Sequence, residues 1–202
     1  VDGQKNTLNV TNNRQKEAAN FEFGLGYGLV NEKSLFNIDF KINIPLGKHY
    51  DTQLQLNSNY LVTGSSADSF AQSELSSNWF ARNDYGRLGA GFGVGEIEPK
   101  DQSKAKDRAL LGRLMGDLYL GEVTLVSNYA SYDRNLSNTS GTRLGISYYL
   151  DDDTRLSFYR EKFSDFDNGW RFETYYQPKK YQRKGSLGVI ARKGDNYDYL
   201  GF

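Results

Sequence analysis

Residues 34–47, SLFNIDFKINIPLG, alternate without a break. Phe36, Ile38, Phe40, Ile42 and Ile44 fall on one side of an extended chain, and Asn37, Asp39, Lys41 and Asn43 on the other. A period of two places successive side chains on opposite faces, so this stretch is a strand with one apolar and one charged face. Two classes of fold accept such a strand. A soluble sheet turns the apolar face to a protein core, whereas a membrane barrel turns it to lipid.

The same alternation recurs along the chain. Over 20–29 the apolar set is Phe21, Phe23, Leu25, Tyr27 and Leu29, opposed by Glu22, Gly24, Gly26 and Gly28. Over 50–62 it is Leu54, Leu56 and Tyr60; over 70–81, Ala71, Leu75, Trp79 and Ala81; over 86–95, Leu88, Ala90, Phe92 and Val94. Segment 109–120 contributes Leu110, Leu114, Leu118 and Leu120, and 122–133 contributes Val123, Leu125 and Tyr129. Later come Leu144, Ile146, Tyr148 and Leu150, then Leu156 and Phe158, then Trp170, Phe172, Thr174 and Tyr176, then Leu187, Val189 and Ala191. NYDYLGF closes the chain, giving twelve strands, with ten or fourteen as the neighbouring counts.

The 202 residues hold 25 basic and 25 acidic side chains, so no excess charge points to a nucleic-acid partner. There is no cysteine, which removes disulfides and thiolate metal sites. No run of about 18 apolar residues exists to make a membrane helix. A mean hydropathy of −0.69 fits a soluble protein, but barrel strands bury only alternate residues in lipid and keep the mean low. Residues 1–18 read as a polar tail and 19–202 as the barrel, with VDGQKN as a mature terminus left by a removed signal peptide.

Strand length separates the two classes. Most segments span about 9–13 residues, against about 5–6 in soluble sandwiches, and there is no repeat of the kind propellers carry. Tyr27, Tyr60, Trp79, Tyr148, Trp170 and Tyr176 fall near strand ends, where a membrane barrel places its aromatic girdles. Among the connections, the longest (96–108) follows an odd strand and the tightest follow even strands, which suits long external loops and short periplasmic turns. The expected fold is all-β: a transmembrane antiparallel up-and-down barrel.

Over residues 20–202 the chain resembles the bacterial outer-membrane β-barrels as a class, including an aromatic last residue, Phe202. Counting back by twos reaches Leu200, Asp198 and Asn196, too polar for lipid, so a bulge or a lipid-facing Tyr197 and Tyr199 is expected. In size and strand number it is similar to the twelve-stranded porins for oligogalacturonate and sialic acid. That resemblance implies an outer-membrane location, contact with lipid and lipopolysaccharide, small solutes as cargo, and a monomer.

Function then rests on the polar face. It carries Lys41, Arg87, Arg113, Arg143, Arg155, Arg171 and Arg192, with Glu22, Asp39, Glu74, Asp117 and Glu173. Guanidinium groups in a lumen attract anions and pair with carboxylates. The same residues can instead form salt bridges that brace the wall. Arg160 and Lys162 take the opposite parity and are expected to meet lipopolysaccharide phosphates or to snorkel. Gly24, Gly26 and Gly28, and Gly89, Gly91, Gly93 and Gly95, leave lumen wall without side chains, where the tail 1–18 or segment 96–108 has room to pack.

Catalysis is not expected. The sole histidine, His49, falls in a turn, and no nucleophile, base and orienting group converge. Asp151, Asp152 and Asp153 lack the spacing of a calcium loop, and no cofactor is called for. The two readings left open are a channel for passive diffusion of small hydrophilic solutes, anions and acidic oligosaccharides among them, and a non-conducting structural, adhesion or anchoring barrel.

Overall fold

The computed structural model describes residues 19–62, 69–135, 138–163, 168–178, 186–194 and 198–202. They form twelve strands: β1 (Asn20–Val30), β2 (Lys33–Pro45), β3 (Tyr50–Val62), β4 (Phe70–Arg82), β5 (Gly86–Pro99), β6 (Asp107–Leu120), β7 (Val123–Arg134), β8 (Asn138–Tyr149), β9 (Thr154–Phe163), β10 (Gly169–Tyr176), β11 (Leu187–Gly194) and β12 (Asp198–Gly201). Each pairs antiparallel with its neighbours in sequence, and β1 pairs with β12 to close a barrel. Closure removes the sheet edges, which is what lets a sheet cross lipid with its backbone satisfied.

The opening alternation settles into register in β2. Ile38, Phe40 and Ile44 point outward and Asn37, Asp39, Lys41 and Asn43 point inward. Around the barrel the outward positions are large and apolar: Phe21 is 69% exposed, Leu88 72% and Leu110 62%. Buried positions are largely polar: Ser76, Asn78, Ser147, Arg155, Ser157, Glu161 and Glu173. A water-soluble protein does not expose a continuous apolar belt of this extent. The distribution is inside-out, and lipid is the solvent that makes it favourable.

The two rims are distinguished here by the connections they carry: the odd rim holds the first, third and later odd connections, and the even rim the rest. Tyr27, Tyr60 and Trp170 lie toward the odd rim, and Tyr50, Trp79, Tyr148 and Tyr176 toward the even rim. All but Tyr27 are well exposed on the outer face, as girdles at the two interfaces require. Tyr27 is half-covered by Phe202, with ring centroids 5.8 Å apart.

Three expectations change. Segment 96–108 is about half ladder: Glu96–Pro99 continue β5, Asp107 and Arg108 begin β6, and only 100–106 connect them. Loop length therefore does not distinguish the rims. The shortest connections, residues 31–32 and 121–122, lie at opposite rims, and the longest, 177–186, is at the even rim. The 31–32 turn works because Asn31 and Glu32 both adopt positive φ (47° and 68°), matching the twist of a two-residue hairpin. Lastly, Tyr199 points into the barrel, while Asp198 takes the outward position and meets Lys193 at 2.7 Å. No bulge is needed, because an outward carboxylate at the rim finds a cation instead of lipid. Tyr197 and the polar tail 1–18 fall outside the described residues.

Candidate functional site

The lumen is the candidate site, and its chemistry divides by wall. Across β2–β4 it is lined by amides. Asn37 Nδ2 donates to Asn59 Oδ1 at 2.8 Å, and Asn59 Nδ2 to Asn57 Oδ1 at 2.9 Å. Gln53 Nε2 donates to Asn43 Oδ1 at 2.8 Å, and Asn43 Nδ2 to Glu22 Oε1 at 3.1 Å. Lys41 stands 4.0 Å from Glu22, and Asp39 lies over Gly24.

Across β8–β11 the wall is arginine and tyrosine. Arg143 sits directly opposite Glu161 in the β8–β9 ladder, and their side chains approach to 3.8 Å. Arg192 Nη2 donates to the other oxygen of Glu161 at 2.6 Å. Arg171 and Arg192 face one another across β10 and β11. Like charges so placed repel, and each guanidinium is drawn aside, Arg171 to Glu173 two residues along and Arg192 to Glu161. Arg155 Nη2 reaches Glu173 at 3.2 Å and its guanidinium lies 4.7 Å above the Tyr175 ring. Among the described residues, four arginines thus meet two carboxylates. Glu161 is 0% exposed and Arg155 3%. The Nε of Arg143 and of Arg155 donates to no acceptor among the described residues.

Glycines determine how far these pairs reach. Arg192 crosses β10 at Gly169, which lies directly opposite Glu161. Arg113 on β6 reaches Glu74 on β4 at 2.9 Å, crossing β5 between Gly91, opposite Arg113, and Gly95, opposite Glu74. The β5 glycines are therefore not bare wall. Asn78 lies against Gly91, Ser76 against Gly93 and Phe80 against Gly89, where an added Cβ would meet them at 2.0, 2.9 and 2.5 Å. Asp39, Asn37 and Tyr199 likewise cover Gly24, Gly26 and Gly28. Neighbouring side chains cover these glycines, residues 102–106 are exposed, and the tail 1–18 lies outside the described residues.

At the even rim a charged row runs along four strands. Arg82 pairs with Asp51 and Arg87 with Asp117 (2.9 Å), while Arg87 also lies 4.4 Å over the Phe80 ring. The Asp151–Asp153 run makes an Asx turn, with the Asp153 N–H donating to Asp151 Oδ1 at 2.7 Å. His49 is exposed in the β2–β3 turn.

The twelve sequence-predicted residues thus all project inward, and eleven of them enter ion pairs: Lys41, Arg87, Arg113, Arg143, Arg155, Arg171, Arg192, Glu22, Glu74, Asp117 and Glu173. Asp39 is the twelfth. Glu161, the hub of the upper ladder, was missed, although Arg160 and Lys162 on the opposite parity imply that Glu161 turns inward. Tyr149, Tyr159 and Tyr175 share the inward parity of Arg143, Arg155 and Arg171 but were not among the lumen candidates, which were chosen by charge, and Tyr199 was expected to face lipid.

No family model and no curated protein matches the chain. Among solved structures it is similar to a chain described under "Unveiling the Mechanism Behind the in-meso Crystallization of Membrane Proteins". That likeness has a TM-score of 0.54 at 14% identity, covering 90% of this chain and 83% of the other. The fold is that of an outer-membrane β-barrel. Further matches are a triple mutant of the Rh. blastica porin and a chain described under "Asymmetric conductivity of engineered proteins". Both have TM-score 0.32 and 10% identity, and cover 91% of this chain and 98% of the other. An outer-membrane β-barrel has two uses for a charged interior, selecting what passes and bracing the wall.

Proposed function

We propose that this barrel is an outer-membrane channel for passive diffusion of small hydrophilic solutes, with a preference for anions and acidic oligosaccharides. One observation carries the reading: on β8–β11 four arginines share two carboxylates, and two buried Nε donors have no acceptor among the described residues. A structural brace is balanced by equal and opposite charge. Among the described residues this wall sets four guanidinium groups around two carboxylates, and guanidinium pairs bidentately with carboxylate. The amide wall of β2–β4 stands opposite and offers both donors and acceptors, which suits hydroxyl-bearing solutes.

A second reading has its own support. Ser147 and Ser157 are each 2% exposed and Glu161 is fully covered, so this sector is packed closely enough for a braced, non-conducting barrel. Flux into proteoliposomes separates the two. A channel passes an acidic monosaccharide faster than a neutral one of equal size. Equal rates would remove the anion preference, and no flux of either would leave the braced barrel.

A further inference from the structure

The outer face of β9–β11 changes character within one ladder step. Ile146, Phe158, Phe172, Ala191 and Leu200 form one continuous row across β8–β12, wholly apolar. The next row toward the odd rim is Leu144, Arg160, Trp170, Lys193 and Asp198. One step further, Lys162 lies opposite Thr142. Arg160, Lys162 and Lys193 all point outward. With strands about 4.8 Å apart and alternate residues about 7 Å apart, Arg160 stands about 7 Å from Lys162 and about 10 Å from Lys193 along the wall, and Lys162 and Lys193 about 12 Å apart.

This patch differs from the other outward charges of the same rim. At β5, Arg108 of β6 and Lys106 of the preceding connection are taken up by Glu96 and Glu98, at 2.8 and 2.9 Å. On β9, no carboxylate among the described residues pairs with Arg160 or Lys162. Lys193 shares Asp198. The Arg160 guanidinium is not left to drift toward water, because it lies 4.5 Å over the Trp170 ring and leaves its N–H edge free. A cation fixed on an interfacial tryptophan, one step above lipid-facing phenylalanines, is at headgroup level.

We infer that Arg160, Lys162 and Lys193, ordered by Trp170, form a docking site on the barrel exterior for a phosphate of lipid A in the outer leaflet. The charge complementarity is specific. Lipid A sets phosphate groups above acyl chains, and here a cation cluster is set above an apolar wall. The site also orients the barrel, placing the odd rim at the cell surface. The inference rests on the outer-membrane reading and is independent of whether the lumen conducts.

Native mass spectrometry from detergent micelles doped with bis-phosphorylated lipid A or with phosphatidylglycerol tests it. The wild-type barrel should retain lipid A in preference to phosphatidylglycerol. Arg160→Gln/Lys162→Gln should weaken that retention roughly ten- to thirtyfold, and Lys162→Gln alone by less. Arg108→Gln, whose partner is Glu96, should leave it unchanged. Heat-modifiable mobility verifies that each variant is folded. Equal retention of lipid A by wild type and double variant overturns the site, and equal retention of the two lipids by wild type overturns its assignment to lipid A. A barrel that conducts but fails both comparisons refutes this inference while sparing the channel.

Discussion

Arg113 and Glu74 stand on β6 and β4, with a whole strand between them, and still meet at 2.9 Å. The pair exists because the intervening strand presents glycine to the lumen. Arg192 and Glu161 repeat the arrangement at 2.6 Å over Gly169. Glycine in these strands does not serve a turn. It lowers the wall so that long side chains can cross it.

That role separates glycines by face. Gly91→Val would drive Cβ into the Asn78 amide, whereas at outward Gly112 an added Cβ meets nothing within 4 Å. The first substitution should cost about 1–3 kcal/mol in urea unfolding of the detergent-folded barrel, and Gly112→Val should be close to neutral. Equal costs would contradict the packing described for β5.

Arg113 and Glu74 are each about one-fifth exposed (21% and 19%), between the surface and fully buried limits for ion pairs. A double-mutant cycle with Arg113→Gln and Glu74→Gln should give a coupling of roughly 1 kcal/mol. A coupling indistinguishable from zero would mean that the crossing contact is not formed.

Parity predicts insertion. Leu114 faces out at mid-strand and Val126 faces in. Leu114→Arg should destabilise the inserted barrel by about 2–4 kcal/mol, while Val126→Arg should insert nearly as well as wild type. Measuring folded fractions in vesicles across a denaturant series checks this, and the reverse order would invert the assignment of faces.

The 100–106 connection lies outside the membrane and has its own pH window. The Ser103 hydroxyl (2.7 Å) and then its amide (3.0 Å) donate to Asp101 and hold its carboxyl below the ordinary range. The hydrogen bond to Glu98 at 2.9 Å and the attached charge attraction raise Lys106. A depressed acid contributes order that is present above its unfolded-state pKa and lost as pH falls through the folded-state value. A raised amine contributes order present below its unfolded-state pKa and lost as pH rises through the folded-state value. The connection should therefore be most ordered between the carboxylate range near about 4 and the lysine range above about 10. The chain has no native cysteine to interfere, so a spin label at Gln102→Cys reports it. Its spectrum should narrow at both extremes, and one that does not change with pH would contradict the contacts.

The barrel was legible because period-two patterning survives in every strand from β1 to β11, even where Gly or Arg fills the inner face. Phe36 to Ile44 alone fix which residues meet lipid. What escaped were relationships at a distance. Glu161 reads as one charge in the run Arg160–Glu161–Lys162, and only the closure of β9 against β8 and β10 shows it between two arginines. The extent of β5 and β6 was hidden because Glu96, Glu98, Lys106 and Arg108 look like loop residues, although their mutual ion pairs extend the ladder. Tyr199 was misassigned for want of a partner for Asp198, which Lys193 supplies from the neighbouring strand.

The account turns on the arginine cluster of β8–β11 acting on solutes in the lumen. Its most direct test is the reversal potential of single channels in planar bilayers under a salt gradient, for the wild type and for Arg143→Gln/Arg192→Gln. The account predicts an anion-selective channel whose selectivity falls in the double variant. A cation-selective channel, or a wild-type barrel that inserts without conducting, would contradict it.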